Sequence, residues 1–360
     1  MNLPVAILLI FALLGAVDKL LNNRFGLAEE LDKGLTMMGS LALSMSGIYC
    51  FSIMLGEFLS AHLGWAEALP FDPSVIFSSV LAIDMGAYSI TATLTSDPSM
   101  VLFTGVLLSS TLGTTISFTL PVALSGASRE NTSQLMGGMV YGIVTVPVAL
   151  VVGQLFLRLP MGGFLLNLLP VAVICGLLCA AIFLFKEATT RVFLFLGNAI
   201  RWLSVVLFVL LVAQIYLGIP FVRDALVSEI LAIVFKITIV VCGSFILSKL
   251  VLRYFMGPIL FLARKLHINT FAIIGLLLSL INSVSMFSIF DKMDRRGQTM
   301  NAAASVSGAY AIGGQLAFVA AVAPQATVVF LVAKLAAGAA ALFLASRATR
   351  DCYCNDLTEN

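Results

Sequence analysis

The chain has 360 residues, 60% of them hydrophobic and 11% charged, with a mean hydropathy of +1.08 and a formal net charge of +2. That balance excludes a water-soluble globule and implies a polytopic membrane protein whose first partner is the lipid bilayer. The small net charge, with Lys and Arg in short loops and no basic stripe, excludes nucleic acid as a partner.

Apolar runs of roughly 20 residues are long enough to cross a ~30 Å hydrocarbon core. The first, Leu3–Leu21, has no basic residue before it and no small-residue cleavage pattern, so an uncleaved helix is expected and not a signal peptide. Asp18 near its end is expected to pair with Lys19 or the interface. Leu35–His62 follows and carries Glu57; next comes Val75–Thr95, broken at Asp84-Met85-Gly86. Met100–Leu124 is interrupted by Gly113-Thr114-Thr115, with Ser117 and Pro121 just beyond. Leu135–Leu157, Phe164–Phe185 and Ala199–Leu217 are plain spans, and Glu229–Leu250 holds Lys236. A second broken segment, Phe271–Phe290, turns polar at Asn282-Ser283-Val284-Ser285. Met300–Ala323 is interrupted by Gly313-Gly314-Gln315, and Thr327–Ala345 has Lys334 near its centre.

The order of features in Leu35–Ala123 recurs in Glu229–Ala323: long helix, amphipathic link (Leu63–Asp72 or Phe255–Asn269), broken segment, glycine-interrupted helix. Val75–Ile83 as a helix rises about 13–14 Å, less than half the membrane core, so each broken segment fits a hairpin that turns back at mid-membrane. With both segments re-entrant, nine full spans remain and the two copies are inverted; with both crossing there are eleven spans and the copies are parallel. The positive-inside rule favours the first arrangement, because it leaves only Arg158 and Arg223 on the face opposite the other loop cations. The expected fold class is therefore an all-α polytopic membrane protein of inverted repeats, with about nine spans and two re-entrant helical hairpins among eleven hydrophobic segments. Its units are a first repeat (1–158, hairpin 75–95), a linker span (159–190), a second repeat (191–350, hairpin 271–290) and a polar tail (351–360). The N-terminus is expected outside and the C-terminus in the cytoplasm.

Paired broken segments at corresponding positions are the sequence sign of a transporter's substrate site. A carboxylate at mid-bilayer costs about 3 kcal/mol, so Asp84 needs a function there: contact with a substrate or coupling ion, or capping of the half-helix that starts at Gly86 and Ala87. Asn282 occupies the equivalent tip and has the same two readings, ligand contact or a structural bond across its hairpin. Gly113, Thr114 and Thr115, mirrored by Gly313, Gly314 and Gln315, suggest unwound stretches facing the tips; packing between helices is the alternative for each. Lys236 and Lys334 are expected as buried cations, with Lys334 in an ion pair with Asp84 or Glu57 or acting directly in transport. The run Asp291–Gly297 is either a gate or a solvated loop. Cys50, Cys175, Cys179 and Cys242 are expected as core filler, and the Cys352/Cys354 pair as solvated tail or a metal site. HExxH, GxSxG, P-loop and Cys–His signatures are absent, so neither enzyme activity, cofactor nor metal is expected.

GAVDKLL (15–21), GLTMMGSLALSMSG (34–47), LAIDMGAY (81–88), TISFTLPVAL (115–124), GIVTVPV (142–148), MFSIFDKMDRRGQTMNAAASVSGAYAIG (286–313) and VAKLAAG (332–338) carry a resemblance that covers nearly the whole chain. By these segments the chain resembles the EutH-type ethanolamine permeases of bacterial ethanolamine-utilisation operons. The resemblance implies uptake of ethanolamine across the cytoplasmic (inner) membrane to feed a cytoplasmic lyase, often housed in a microcompartment. Asp84 lies in the counterpart of the family's D-M-G motif, and a protonated ethanolamine requires an anion and acceptors around its ammonium; Asn282, Thr114, Thr115 or Gln315 would then bond the hydroxyl. Two departures stand out: the family's G-D-H at the second glycine break is Gly313-Gly314-Gln315 here, and its asparagine-proline pattern is Asn282-Ser283-Val284. Loss of an acid near a cation site leaves open an ion-coupled carrier of another small amine or polar metabolite. A membrane sensor that binds ethanolamine without moving it is the rival from another class. Assembly into a homo-oligomer is compatible with the sequence and is not specified by it.

Overall fold

Hydrocarbon cannot satisfy backbone N–H and C=O groups, so a chain this apolar closes its hydrogen bonds within helices. The computed structural model describes residues 2–62, 64 and 68–350, and every regular element in it is helical. Part of the first link and the tail cysteines Cys352 and Cys354 lie outside the described residues.

In chain order the elements are α1 (Leu3–Leu20), α2 (Ala28–Ala61), the short pair α3 (Ser74–Val80) and α4 (Ala87–Leu94), α5 (Pro98–Gly126), α6 (Thr132–Leu157), α7 (Met161–Leu184), α8 (Lys186–Leu217) and α9 (Asp224–Tyr254). They continue with α10 (Met256–Leu266), α11 (Thr270–Ile281), α12 (Ser283–Phe287), α13 (Arg295–Ser307), α14 (Gly314–Val322) and α15 (Pro324–Ala348). Among the described residues, eight helices are long and apolar enough to cross a membrane, or nine if α10 and α11, bent by 112° at their junction, form one span.

Long helices stand where the spans were expected, and the interruption expected in Met300–Ala323 is present. Met300–Ala323 is not a single helix: α13 stops at Ser307 and α14 starts at Gly314. Between them the backbone pairs with the end of α11, Tyr310 N donating to Ser279 O and Ile312 N to Leu280 O, both at 2.9 Å. The matching glycine in the first copy behaves differently. Gly113–Thr115 was expected to unwind, yet α5 stays helical through Thr114 (φ −63°, ψ −35°) in wide, π-type turns. Hydroxyls of Ser109, Ser110, Thr111, Thr114, Thr115 and Ser117 donate back to carbonyls three to five residues earlier, which loosens the coil without opening it.

α5 is the most enclosed long helix, with 78% of its most apolar window buried against 17% for α8. The outward faces of α7 and α8 bear large apolar side chains such as Phe183, Phe195 and Trp202, as a lipid-facing surface does. α2 and α9 pack antiparallel, Gly34 lying against Cys242 at one end and Cys50 facing Leu226 at the other. Cys50, Cys175 and Cys242 are buried and Cys179 half-buried, all as free thiols in apolar packing.

Two segments reverse direction inside the bundle. Ser78 on α3 and Thr91 on α4 share a hydrogen bond of 2.9 Å, although a straight helix would hold them about 20 Å apart. The α11–α12 segment begins and ends at one level, since Asn269 Nδ2 donates to Lys292 O (2.9 Å) and Asn269 N to Asp294 Oδ1 (2.8 Å). Close approach fixes both reversals against the rest of the molecule. A Cβ on Gly113 would lie 2.1 Å from Leu81 O, and one on Gly313 would lie 1.9 Å from Ile281 O, so each glycine lets a helix touch the carbonyl end of a short arm.

Candidate functional site

The turns of the two reversing segments meet at a chamber of about 370 Å³, largely apolar with a few polar groups, walled by α2, α5, α9 and the start of α14. Asp84, Thr114, Asn282, Gly314 and Gln315 line it together, although Asp84 and Asn282 stand almost two hundred residues apart. The chamber has room for an amine of four heavy atoms and several waters at about 30 Å³ each.

Asp84 is half-buried, and apart from its own backbone amide its carboxylate has no hydrogen-bond or ion-pair partner among the described residues. Capping is not its role, because α4 begins at Gly86 (φ +98°) without any side-chain cap. Asn282 does cap: its Oδ1 accepts from Val284 N at 2.9 Å and starts α12. The Asn282 amide nitrogen remains available to the chamber.

Gln315 and Thr114 are linked. Gln315 Nε2 donates to Thr114 Oγ1 (2.7 Å), and Thr114 Oγ1 donates to Ser109 O (2.8 Å). Lys334 stands behind them with 1% exposure, donating from Nζ to Gln315 Oε1 (2.6 Å) and Ser110 O (2.7 Å). The ion pair expected for Lys334 is therefore not formed. Asp84 acts on it through space only, and Glu57 instead pairs with Arg223 at 2.5 Å on the molecular surface.

Gly113, Gly313 and Thr115 do not line the chamber. The glycines serve the close contacts described above, and Thr115 Oγ1 donates to Thr111 O and Val306 O. Lys236, expected to be buried, is exposed on α9 beside α1 and α14, where its long stem follows the helix surface. Asp18 does not pair with Lys19. Its buried carboxylate accepts from Phe25 N, Leu27 N and Ala28 N (2.8, 2.6 and 3.2 Å) and builds the turn into α2, while Lys19 bonds Asp32. The Asp291–Gly297 run is ordered by contacts: Asp291 accepts from Ser128 and Asn131, and Asp294 caps α13.

The sequence did not single out Tyr310, Phe118 or the α2 wall formed by Met37, Ser40, Leu41, Ser44 and Met45. Tyr310 adopts φ +60°, uncommon for a bulky residue, and is held there by the bond from its amide to Ser279. Its ring meets Phe118 edge to face at 6.2 Å. Its hydroxyl points toward that of Ser283, and neither completes a well-formed hydrogen bond. Ser44, Met85 and Phe118 also border a second cavity of about 250 Å³ between α2, α5 and α8.

A bundle of apolar helices around a chamber built where short broken helices meet defines a polytopic membrane protein. No cluster of His, Cys, Asp and Glu among the described residues could hold a metal ion. Residues 2–347 match the family described as "Ethanolamine utilisation protein, EutH", and the chain belongs to that family. It is 32% identical to a probable ethanolamine permease EutH of Listeria monocytogenes, over 93% of this chain and 91% of that protein. Identity is 30% to the uncharacterized protein YxeR of Bacillus subtilis (94% and 92% covered) and 27% to a probable ethanolamine permease EutH of Salmonella typhimurium (94% and 93%). No solved structure matches the chain.

Proposed function

We propose that this protein is a permease that carries protonated ethanolamine across the bacterial inner membrane by alternating access, with the chamber between the two turns as its substrate site. The observation that carries this is Asp84: a carboxylate with no partner beyond its own amide among the described residues, in an otherwise uncharged chamber that Asn282, Phe118 and Tyr310 also line. A desolvated ammonium needs such an anion, and aromatic faces add cation–π attraction. Asn282, Thr114 and Gln315 supply donors and acceptors for the hydroxyl. The names of the Listeria and Salmonella relatives support ethanolamine as the substrate.

The architecture that fits is the inverted repeat with nine crossings, the broken α13–α14 pair serving as one, and α3–α4 and α11–α12 as hairpins entering from opposite faces. Units 1–158, 159–190 and 191–350 follow from it. Antiparallel packing of the equivalent helices α2 and α9 supports the inversion. So do the bundle ends: Lys249 and Arg253 meet the α1–α2 turn at one end, and Arg223 meets Glu57 at the other. With the cation-rich end in the cytoplasm, the N-terminus lies outside. The second cavity then opens from the chamber toward the cytoplasm.

The test is uptake of labelled ethanolamine into proteoliposomes at acidic pH, first without an ion gradient and then with an imposed sodium or proton gradient. Saturable uptake above empty liposomes is expected. Binding without uptake would instead mark a sensor, and neither from folded protein would point to a different amine, the reading left open by Gly314 standing in place of the family's acid.

A further inference from the structure

Lys334, sealed behind the chamber-lining Gln315, is a charged group that the uptake reading leaves unused. An ammonium carries three donor hydrogens, and here it meets only neutral partners: the Ser110 carbonyl from α5, Gln315 from α14 and, 5.4 Å away, the Phe330 ring of its own helix. α6, which has no charged residue, and α13, whose Arg295 and Arg296 stand at the end away from the Gly308–Gly338 contact, also pack on α15; Asp84 across the chamber is the carboxylate that bears on Lys334. Gln315 is the relay, holding Lys334 with its oxygen and Thr114 with its nitrogen.

A cationic amine beside half-buried Asp84 would place two cations near one carboxylate, where the protein's lower dielectric strengthens the repulsion between like charges. Resting on the amine-permease reading, we propose that Lys334 gives up a proton when the protonated amine binds, so that the chamber holds one exchangeable cation at a time. One Nζ–H bond breaks, its electron pair stays on nitrogen, and the proton leaves to water. Neutral Nζ can then accept from the Gln315 amide, which frees Gln315 Oε1 to turn toward the incoming ammonium. Reprotonation as the amine departs on the other face moves one ammonium in and one proton out, an electroneutral exchange.

Calorimetry of ethanolamine binding to the purified full-length protein at neutral pH, in buffers of differing ionisation heat, counts the protons released. About one proton per amine is expected from the wild type and none from Lys334→Met. Lys334→Arg, whose guanidinium keeps its charge, should bind at least about tenfold more weakly and release none. Wild-type binding without release, or release that persists in a variant because the amine itself sheds the proton, overturns the inference; so does Lys334→Arg binding as tightly as wild type. If Lys334→Met fails to fold, Lys334→Arg alone decides. Folded wild-type protein that binds no ethanolamine overturns the substrate reading itself, and this inference with it.

Discussion

The two turns that meet in the chamber meet the same need, starting a half-helix inside the bundle, by opposite means. At the second, the Asn282 side chain supplies the cap for α12. At the first, Gly86 makes the turn with its backbone at φ +98° and no side chain is required. The difference leaves Asn282 partly committed to structure and Asp84 uncommitted. A polar residue at a helix break thus points to a ligand only when the backbone has not already used it.

The sharpest way to break this comparison is to remove the charge at the first turn. Asp84→Asn keeps the shape and should lower ethanolamine uptake by about a hundredfold, the loss of roughly 3 kcal/mol of charge-assisted bonding, while the protein still inserts; wild-type uptake would take Asp84 out of the site. Gly86→Ala comes next. Its Cβ would lie 1.8 Å from Ser52 Oγ in a backbone conformation that penalises any side chain, so melting in detergent should reveal a loss of about 2–3 kcal/mol. Because the Ser52 Cβ itself would lie 2.2 Å away, adding Ser52→Gly, and not Ser52→Ala, should relieve the collision and leave the backbone strain.

The second turn should respond more mildly. Asn282→Ala removes a cap worth about 1 kcal/mol and Asn282→Ser should return most of it, with uptake in the alanine variant reduced about tenfold, less than in Asp84→Asn, for loss of one amide bond. Equal loss in both variants would erase the asymmetry.

The smallest effect lies at the exposed loops, where Asp291, just past α12, bonds the α5–α6 loop. The Asn131 amide, helped by Ser128, holds the Asp291 carboxyl below its ordinary value of 3.8. A carboxyl held low in the folded state stabilises above its unfolded value and loses that contribution as pH falls through the folded one. Asp291→Asn should therefore melt slightly below wild type at neutral pH, and the two curves should converge below about pH 4.

Much of this was legible because burial in lipid leaves few excuses for a polar residue. Asp84, Asn282, Thr114 and Gln315 stood out against apolar surroundings, and the structure brings all four to one chamber. What sequence could not supply was direction. Helices apolar all round give no sign of which face is inside, so Lys236 and Lys334 read alike although one is exposed and the other sealed. Glycine was equally ambiguous: Gly113 and Gly313 both meet a carbonyl at the end of a short helix, but the hydroxyl-rich α5 stays coiled while the chain before α14 opens and pairs with α11. Tyr310 gave no signal because its importance comes from a backbone turn created only by that pairing.

Equilibrium binding of labelled ethanolamine to wild-type and Asp84→Asn protein, measured side by side on folded samples, tests the chamber most directly. Saturable binding to the wild type, weakened about a hundredfold in the variant, is the predicted result. Equal affinity in both would mean that the amine binds elsewhere.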